Sequence, residues 1–357
     1  MIDSYDNATP TAAEAVSLDT WRRLYDLAER TRALEPWTWM EETDVFGVED
    51  PEAGQILFVS VMGLLGEYRA VAVYPGALAL SQFWQMQDAP NSEILADIMF
   101  GIHHAHAAFG GKKDLLPQEK RLVDALGMKF KGPAGWPYFR SHKPGWVPWT
   151  IDAREARWIA LALENLLDVA PRVQKDRRLL GTGGAERQYL VRSRSGGNIA
   201  GPWRDTRQPC PPSVATLQVR VPMATVRDLR GLQSNGITVE MDVFPSFMKI
   251  GKRGERAQTP FILMVCETER GLILGIELMN VEGAIEDLWA RVPAQFVEIL
   301  ARNRIRPDRL RLRTAWIAMV LDALCRELGI EMALVPEIPA VAQARQGLDR
   351  FNRGPGG

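Results

Sequence analysis

Three of the four histidines in this chain fall in one short phrase, Gly101-Ile-His-His-Ala-His-Ala, and the fourth is His142. Imidazole nitrogens ligate borderline transition metals and exchange protons near neutral pH. The phrase ends a segment, residues 92–109, whose pattern predicts a helix. On a helix His103 and His106 stand three residues apart and share a face, while His104 points elsewhere. Helical metal sites favour the i, i+4 spacing of HExxH and need a further ligand. Asp97 and Asp114 are the nearest acids, and no cysteine is close. His103 and His106 are thus candidate metal ligands, weighed against the plainer reading of a packed or surface helix.

The other reactive residue types are more dispersed. Gly110-Gly-Lys-Lys lacks the leading Gly and the Ser/Thr of a phosphate-binding loop, and Gly181-Thr-Gly-Gly is not GxGxxG. No GxSxG is present, so a hydrolase nucleophile elbow is excluded. Cys210 lies in Gln-Pro-Cys-Pro-Pro, far in sequence from every histidine, and reads as an inert thiol. Arginines are dense near the C-terminus. Arg302, Arg304, Arg309, Arg311 and Arg313 are the candidate anion-binding residues, with Arg306 between them. Alternate ones from Arg309 to Arg313 share a strand face; the plainer reading is a charged, protected edge strand. Eleven tryptophans, several beside Pro or Gly, suggest a core that pins irregular loops more than an aromatic-lined groove.

Composition bounds what these residues can serve. The 357 residues suggest two or three domains, and 46% hydrophobic with 24% charged residues is the balance of a soluble globular protein. Three cysteines, Cys210, Cys266 and Cys325, show no CxxC spacing, so neither a disulfide framework nor a zinc knuckle is indicated. The opening MIDSYDNATP has no secretory pattern, and the longest apolar run, Ile56 to Leu65, falls short of the ~20 residues of a membrane span. A reduced, cytoplasmic protein without a membrane partner is expected. The net charge of −1 is uneven: residues 1–60 carry thirteen acids against four arginines, which leaves a net +8 on the rest. That polarity allows a protein or nucleic-acid partner on the basic C-terminal part, and equally allows differently charged solvated faces.

The elements that would position these residues divide into three stretches. Residues 1–170 read as an α+β domain. A helix begins near Asp19, three short strands follow (44–48, 55–61, 68–74), and Asp152 caps a helix running to Asp168. The stretch 129–149, rich in Pro, Gly and aromatics, reads as an irregular packed loop. Residues 171–235 read as a connector with small β elements at Gln188–Val191 and Thr216–Val221. Residues 236–357 alternate strands and helices in the order βββαβαβα: an antiparallel meander, then parallel strands joined by crossovers, forming a mixed sheet.

The last third resembles the ribonuclease H-like superfamily, in particular its integrase and transposase branch. The phrases that carry the likeness are VEMDVFP, PFILMVCETERGLILGIEL, RPDRLRLRTAW and ELGIEMALVP. The whole chain also resembles an uncharacterised bacterial two-module family with the signature PWTWM…DVFGV…SVMG, which implies domain boundaries and no activity. The ribonuclease H-like resemblance implies an α/β fold and two-metal, Mg2+-dependent phosphoryl transfer, with acids on the first strand, at the end of the fourth and on a late helix. Asp242 fits the first position. The fourth strand ends Leu312-Arg313-Thr314, with a guanidinium where an acid belongs. Glu327 and Asp349 are late-helix acids, and Glu267 and Glu277 lie on the second and third strands. If there is catalysis at all, Asp242, Glu267 and Glu277 are its residues and Mg2+ its cofactor. The expectation is instead a pseudo-nuclease: a non-catalytic interaction or regulatory module with no cofactor. A nucleic-acid enzyme with a rearranged site, and a nucleic-acid binder without cleavage, are the alternatives.

Overall fold

The computed structural model describes residues 15–66, 68–180, 188–194, 201–209, 217–234, 236–246, 248–252 and 254–353, without the side chains of 349 and 351–353. The chain forms two compact units, one of Met1–Lys143 with Pro148–Val214, the other of Pro144–Val147 with Ala215–Gly357. Among the described residues no helix is long and apolar enough to cross a membrane.

The first unit is built on a seven-stranded sheet. Strands β1 (Phe46–Glu49), β2 (Ile56–Met62), β3 (Arg69–Pro75), β4 (His104–Gly110) and β5 (Trp136–His142) form an antiparallel meander. Strand β6 (Gln188–Arg194) pairs parallel to β1, and β7 (Trp203–Pro209) pairs antiparallel to β6, giving the order β5-β4-β3-β2-β1-β6-β7. Helices α1 (Leu18–Leu34) and α5 (Ala153–Lys175) bury Leu24, Tyr25, Ile159 and Leu163 in one core with Val59, Val71 and Phe139. Helix α2 (Gly76–Gln87), which precedes α3 (Ser92–Gly101), packs Leu80 and Phe83 in a second core with Phe58, Tyr74 and Tyr189. Helix α4 (Pro117–Ala125) follows β4.

Several elements depart from the sequence expectation. Ser17, rather than Asp19, caps α1 by accepting the Thr20 N–H at 3.1 Å. The expected cap of α5 forms: Asp152 accepts the Glu155 N–H, and Glu155 returns a bond to the Asp152 N–H. That helix runs through Pro171 to Lys175 instead of stopping at Asp168. The helix expected over 92–109 ends at Gly101, and the histidine phrase enters β4. His104-Ala-His-Ala-Ala-Phe alternates at period two, and the alanines let the strand sit buried on both faces between β3 and β5. Residues 136–142, read as loop, form β5, where Pro137 is tolerated because the strand lies at the sheet edge. The stretch read as connector supplies β6 and β7 to the sheet. Strand β7 escaped notice because it is a charged, exposed edge strand. Of Thr216–Val221, the described part, from Leu217, is not a strand.

The second unit begins with α6 (Met223–Arg230), which sequence patterning missed. Then come β8 (Thr238–Pro245), β9 (Phe261–Glu267), β10 (Ile273–Met279), α7 (Ile285–Asn303), β11 (Arg309–Leu312), α8 (Ala315–Leu328), β12 (Glu331–Leu334) and α9 (Pro339–Arg353). The first three strands pair antiparallel, and β11 and β12 run parallel to β8, in the order β10-β9-β8-β11-β12. This is the expected element order on a mixed sheet. Helix α7 is continuous through Pro293 and comes so near the sheet that a Cβ on Gly275 would meet Ile299 at 2.7 Å. Helix α9 covers the other face, where Val341 joins Phe244, Ile262, Met264 and Cys266 in an apolar cluster. Gly329, at φ 67°, closes α8 in the left-handed conformation glycine adopts freely.

Candidate functional site

The carboxylates of the second unit do not converge. Asp242 stands opposite Met264, on the face that α9 covers. Glu267 stands opposite Val239, and Glu277 opposite Leu263, which pairs with Val243. Directly opposed residues share a face and neighbours along a strand alternate, so Glu267 and Glu277 point to the side away from Asp242. Each acid has its own structural task. The Glu267 carboxylate accepts the N–H groups of Glu269 and Arg270 and shapes the turn into β10. Glu277 pairs with Arg302 of α7. Asp242 accepts from Arg313, whose Nε and Nη2 both lie 2.6 Å from Oδ2, and from the Val243 N–H through Oδ1. Of the late-helix acids, Glu327 pairs with Arg230, and the Asp349 side chain lies outside the described residues.

One acid in this region went unrecognised in the sequence. Glu240, two residues before Asp242 on the same face, is fully buried. Its Oε2 accepts the N–H groups of Ala340 and Val341 and so caps the N-terminus of α9. The alternation Glu240-Met-Asp242 signals a shared polar face within a buried strand, but not that a helix would arrive there.

The candidate anion-binding arginines serve mostly internal partners. Arg302 engages Glu277, Arg309 engages Glu331, and Arg313 engages Asp242. Arg304 closes α7 in the left-handed conformation at φ 52°. Arg311 stands in register with Glu240 and so belongs to the same sheet face. The register thus sets Arg309 beside Glu331 of β12 and Arg311 beside Glu240 of β8.

The histidines of the first unit regroup relative to the sequence expectation. His103, next to the start of β4, turns toward α5: its Nε2 lies 3.1 Å from Glu155 Oε1, and its ring rests near Trp158. His104 and His106, two apart on β4, share the opposite face. His142 of β5 stands directly across from His104. The His104 and His142 rings stack at 4.2 Å between centroids, and His106 and His142 are 4.7 Å apart. One nitrogen from each of His104, His106 and His142 lies within 4.8 Å of the others, the sole such set of three metal-capable side chains among the described residues. The expected pair His103 and His106 is therefore replaced by a strand-borne triplet. The helix assignment hid it, because i, i+2 residues share a face only on a strand.

The electrostatics of this face keep His104 and His106 neutral. Burial pushes His104 down to about 4, against a smaller upward effect of its bond to the Ile102 carbonyl. Burial likewise holds His106 well below the usual histidine range, with His104 and Arg140 adding to the effect. The Ile102 carbonyl can only accept, so the 3.2 Å contact puts the His104 proton on Nδ1 and leaves the lone pair on Nε2. The Tyr68 hydroxyl lies 2.9 Å from His106 Nε2. Arg140, the nearby cation, bonds to Glu119 and to the carbonyls of Phe139 and Asp114.

The remaining expected features are structural or undescribed. Trp39 donates its indole N–H to the Ala170 carbonyl and Trp84 to the Tyr189 hydroxyl, as residues that pin loops and layers do. Burial raises the thiols of Cys266 to about 11 and Cys325 to about 12, which leaves both protonated and unreactive at neutral pH. Cys210 and Gly181–Gly184 lie outside the described residues.

Comparison with curated proteins finds no match. Residues 21–192 match one family model, a domain of unknown function (DUF7309), and residues 225–349 match a second, also a domain of unknown function (DUF6930). Apart from residues 144–147, the first match lies in the first compact unit, and the second match lies in the second unit.

Proposed function

We propose that the second unit is a ribonuclease H-like module that has given up metal-dependent phosphoryl transfer and serves a non-catalytic interaction or regulatory role. The fold reading is supported by three antiparallel strands followed by two parallel ones, in the order β10-β9-β8-β11-β12, with helices on both faces. The loss of chemistry rests on one observation, the Arg313–Asp242 pair. Two-metal transfer needs several carboxylates around cations ~4 Å apart. Here a guanidinium fills the cation's place beside Asp242, and Glu267 and Glu277 face away. Two buried, inert thiols suit a reduced, cytoplasmic setting.

Nucleic-acid binding through the arginines is the weaker reading, because Arg302, Arg309 and Arg313 already hold carboxylate partners. The test is a cleavage assay with single- and double-stranded DNA and RNA in Mg2+ or Mn2+. The full chain and an Asp242→Asn variant should show the same background. Metal-dependent cleavage that disappears in Asp242→Asn would overturn the reading.

A further inference from the structure

The histidine face of the first unit has a chemistry that the second unit lacks: three imidazole nitrogen donors gathered on two paired strands. We propose that His104, His106 and His142 bind a divalent transition-metal ion of the Zn2+ class, leaving a fourth position for water. The donor set selects the ion. Imidazoles favour borderline metals, whereas Mg2+ and Ca2+ require oxygen ligands.

The geometry is close to what such an ion needs. Zn–N bonds of 2.0–2.1 Å place tetrahedral nitrogens about 3.4 Å apart. The three nitrogens already lie within 4.8 Å of one another. The His104 and His142 rings, parallel within 10°, turn out of their stack on binding so that their in-plane lone pairs converge on the ion. Their supports are rigid, because β4 is hydrogen-bonded to β3 on one side and β5 on the other. Metal-ligating histidines are oriented through their second nitrogen, which fixes the tautomer. His104 has such an orienting contact at the Ile102 carbonyl, and His106 at Tyr68. The neighbouring charge of Arg140 is balanced by Glu119.

The test uses the full chain without a histidine tag. Zn2+ is titrated in competition with a chromophoric chelator, and Co2+ is added to the apo protein and read by visible absorption. One ion per chain and the d–d bands of a tetrahedral, nitrogen-rich Co2+ site are expected. His142→Ala and His106→Gln should each weaken Zn2+ binding by about 100-fold or more, since even an orienting partner is worth 10- to 100-fold. His103→Gln, on the opposite face, should leave affinity unchanged. His142 is half-buried, so its variant is the one expected to stay folded, with circular dichroism as the check. Wild-type protein that is folded yet binds less than one ion, or shows no tetrahedral Co2+ spectrum, overturns the proposal. So does unchanged affinity in a folded His142→Ala.

Discussion

Asp242 and His106 both sit on buried strand faces, at 2% and 5% exposure, yet different physics makes each tolerable there. A carboxylate is charged at neutral pH, and burial costs it several kcal/mol unless a counter-charge comes along. The second unit supplies that counter-charge from its own chain, as the Arg313 guanidinium. An imidazole escapes the same cost by staying neutral, and a neutral imidazole keeps a lone pair. On the proposed readings, the buried acid with its internal cation is closed to metal chemistry, whereas the buried histidines remain donors. The same difference explains why the two sites call for opposite experiments: removing a cation from one, adding a cation to the other.

The strongest way to break this contrast is to delete the internal cation. Arg313→Ala leaves Asp242 buried beside its strand with no counter-charge. Removing one partner of a buried pair costs about 3–5 kcal/mol, and the partial exposure of Arg313 places the expectation near the lower end. Denaturant unfolding of the second unit reads the loss. Replacing the pair together, Arg313→Leu with Asp242→Leu, should recover much of it, because two apolar side chains bury without a charge. A cost below about 1 kcal/mol for Arg313→Ala would mean that the pair behaves as a solvated surface bridge and does not close the site.

The histidine side of the contrast is sharpened by pH. His104 titrates near 4 in the fold against 6.5 for a free histidine, with burial the main cause. Above pH 6.5 both folded and unfolded chains are neutral at this residue, and its contribution to stability is complete. As the pH falls from 6.5 to 4, the unfolded chain takes up a proton that the folded one refuses, so stability declines. Below 4 the loss is complete, amounting to about 3 kcal/mol from His104 alone. His106 shifts in the same direction, and the groups around the pair are Tyr68, Tyr74, Tyr138, Arg140 and His142. A melting-temperature series from pH 7 to 4 should fall steeply for the wild type and less steeply for His104→Gln. Parallel curves would show that these rings are hydrated and protonate freely.

How much of this was legible in the sequence follows from the range of the interactions involved. The second unit was readable because Ile237–Phe244 and Phe261–Glu267 are buried strands and Leu272–Met279 is an apolar edge strand, all bounded by turn signals. The missing acid at Arg313 follows directly from that register. The partner of Arg313 lies seventy-one residues away in sequence, and only sheet order brings Asp242 beside it. In the first unit the decisive error was one of period. His103-His-Ala-His follows a helical stretch, and its alternation is only a few residues long, too short to outweigh the preceding pattern. Once β4 is a strand, the pairing of His104 with His142 depends on β5, and the Pro- and Gly-rich sequence around β5 conceals it. Strand β7 was invisible for a further reason: a charged edge strand has no apolar face to read.

The smallest effect bears on the arginines. Arg302 is 60% exposed, and its partner Glu277 is partly exposed as well. Such a pair contributes about 0.5 kcal/mol or less, because solvent screens it and two long side chains must be ordered. Arg302→Ala should therefore shift the unfolding midpoint barely above measurement error, in contrast to Arg313→Ala. The same variant also separates the two readings of the C-terminal charge. An arginine that neutralises a phosphate contributes about 0.9 to the slope of log affinity against log salt. If Arg302 met nucleic acid, Arg302→Ala would flatten that slope by about this much. If its work is to hold α7 against β10, binding of a DNA duplex at low salt should be weak in the wild type and unaltered in the variant. The near-silence of Arg302 beside a large cost at Arg313 would then locate the force of the arginine-rich segment at its one buried member, where it replaces a cation instead of recruiting an anion.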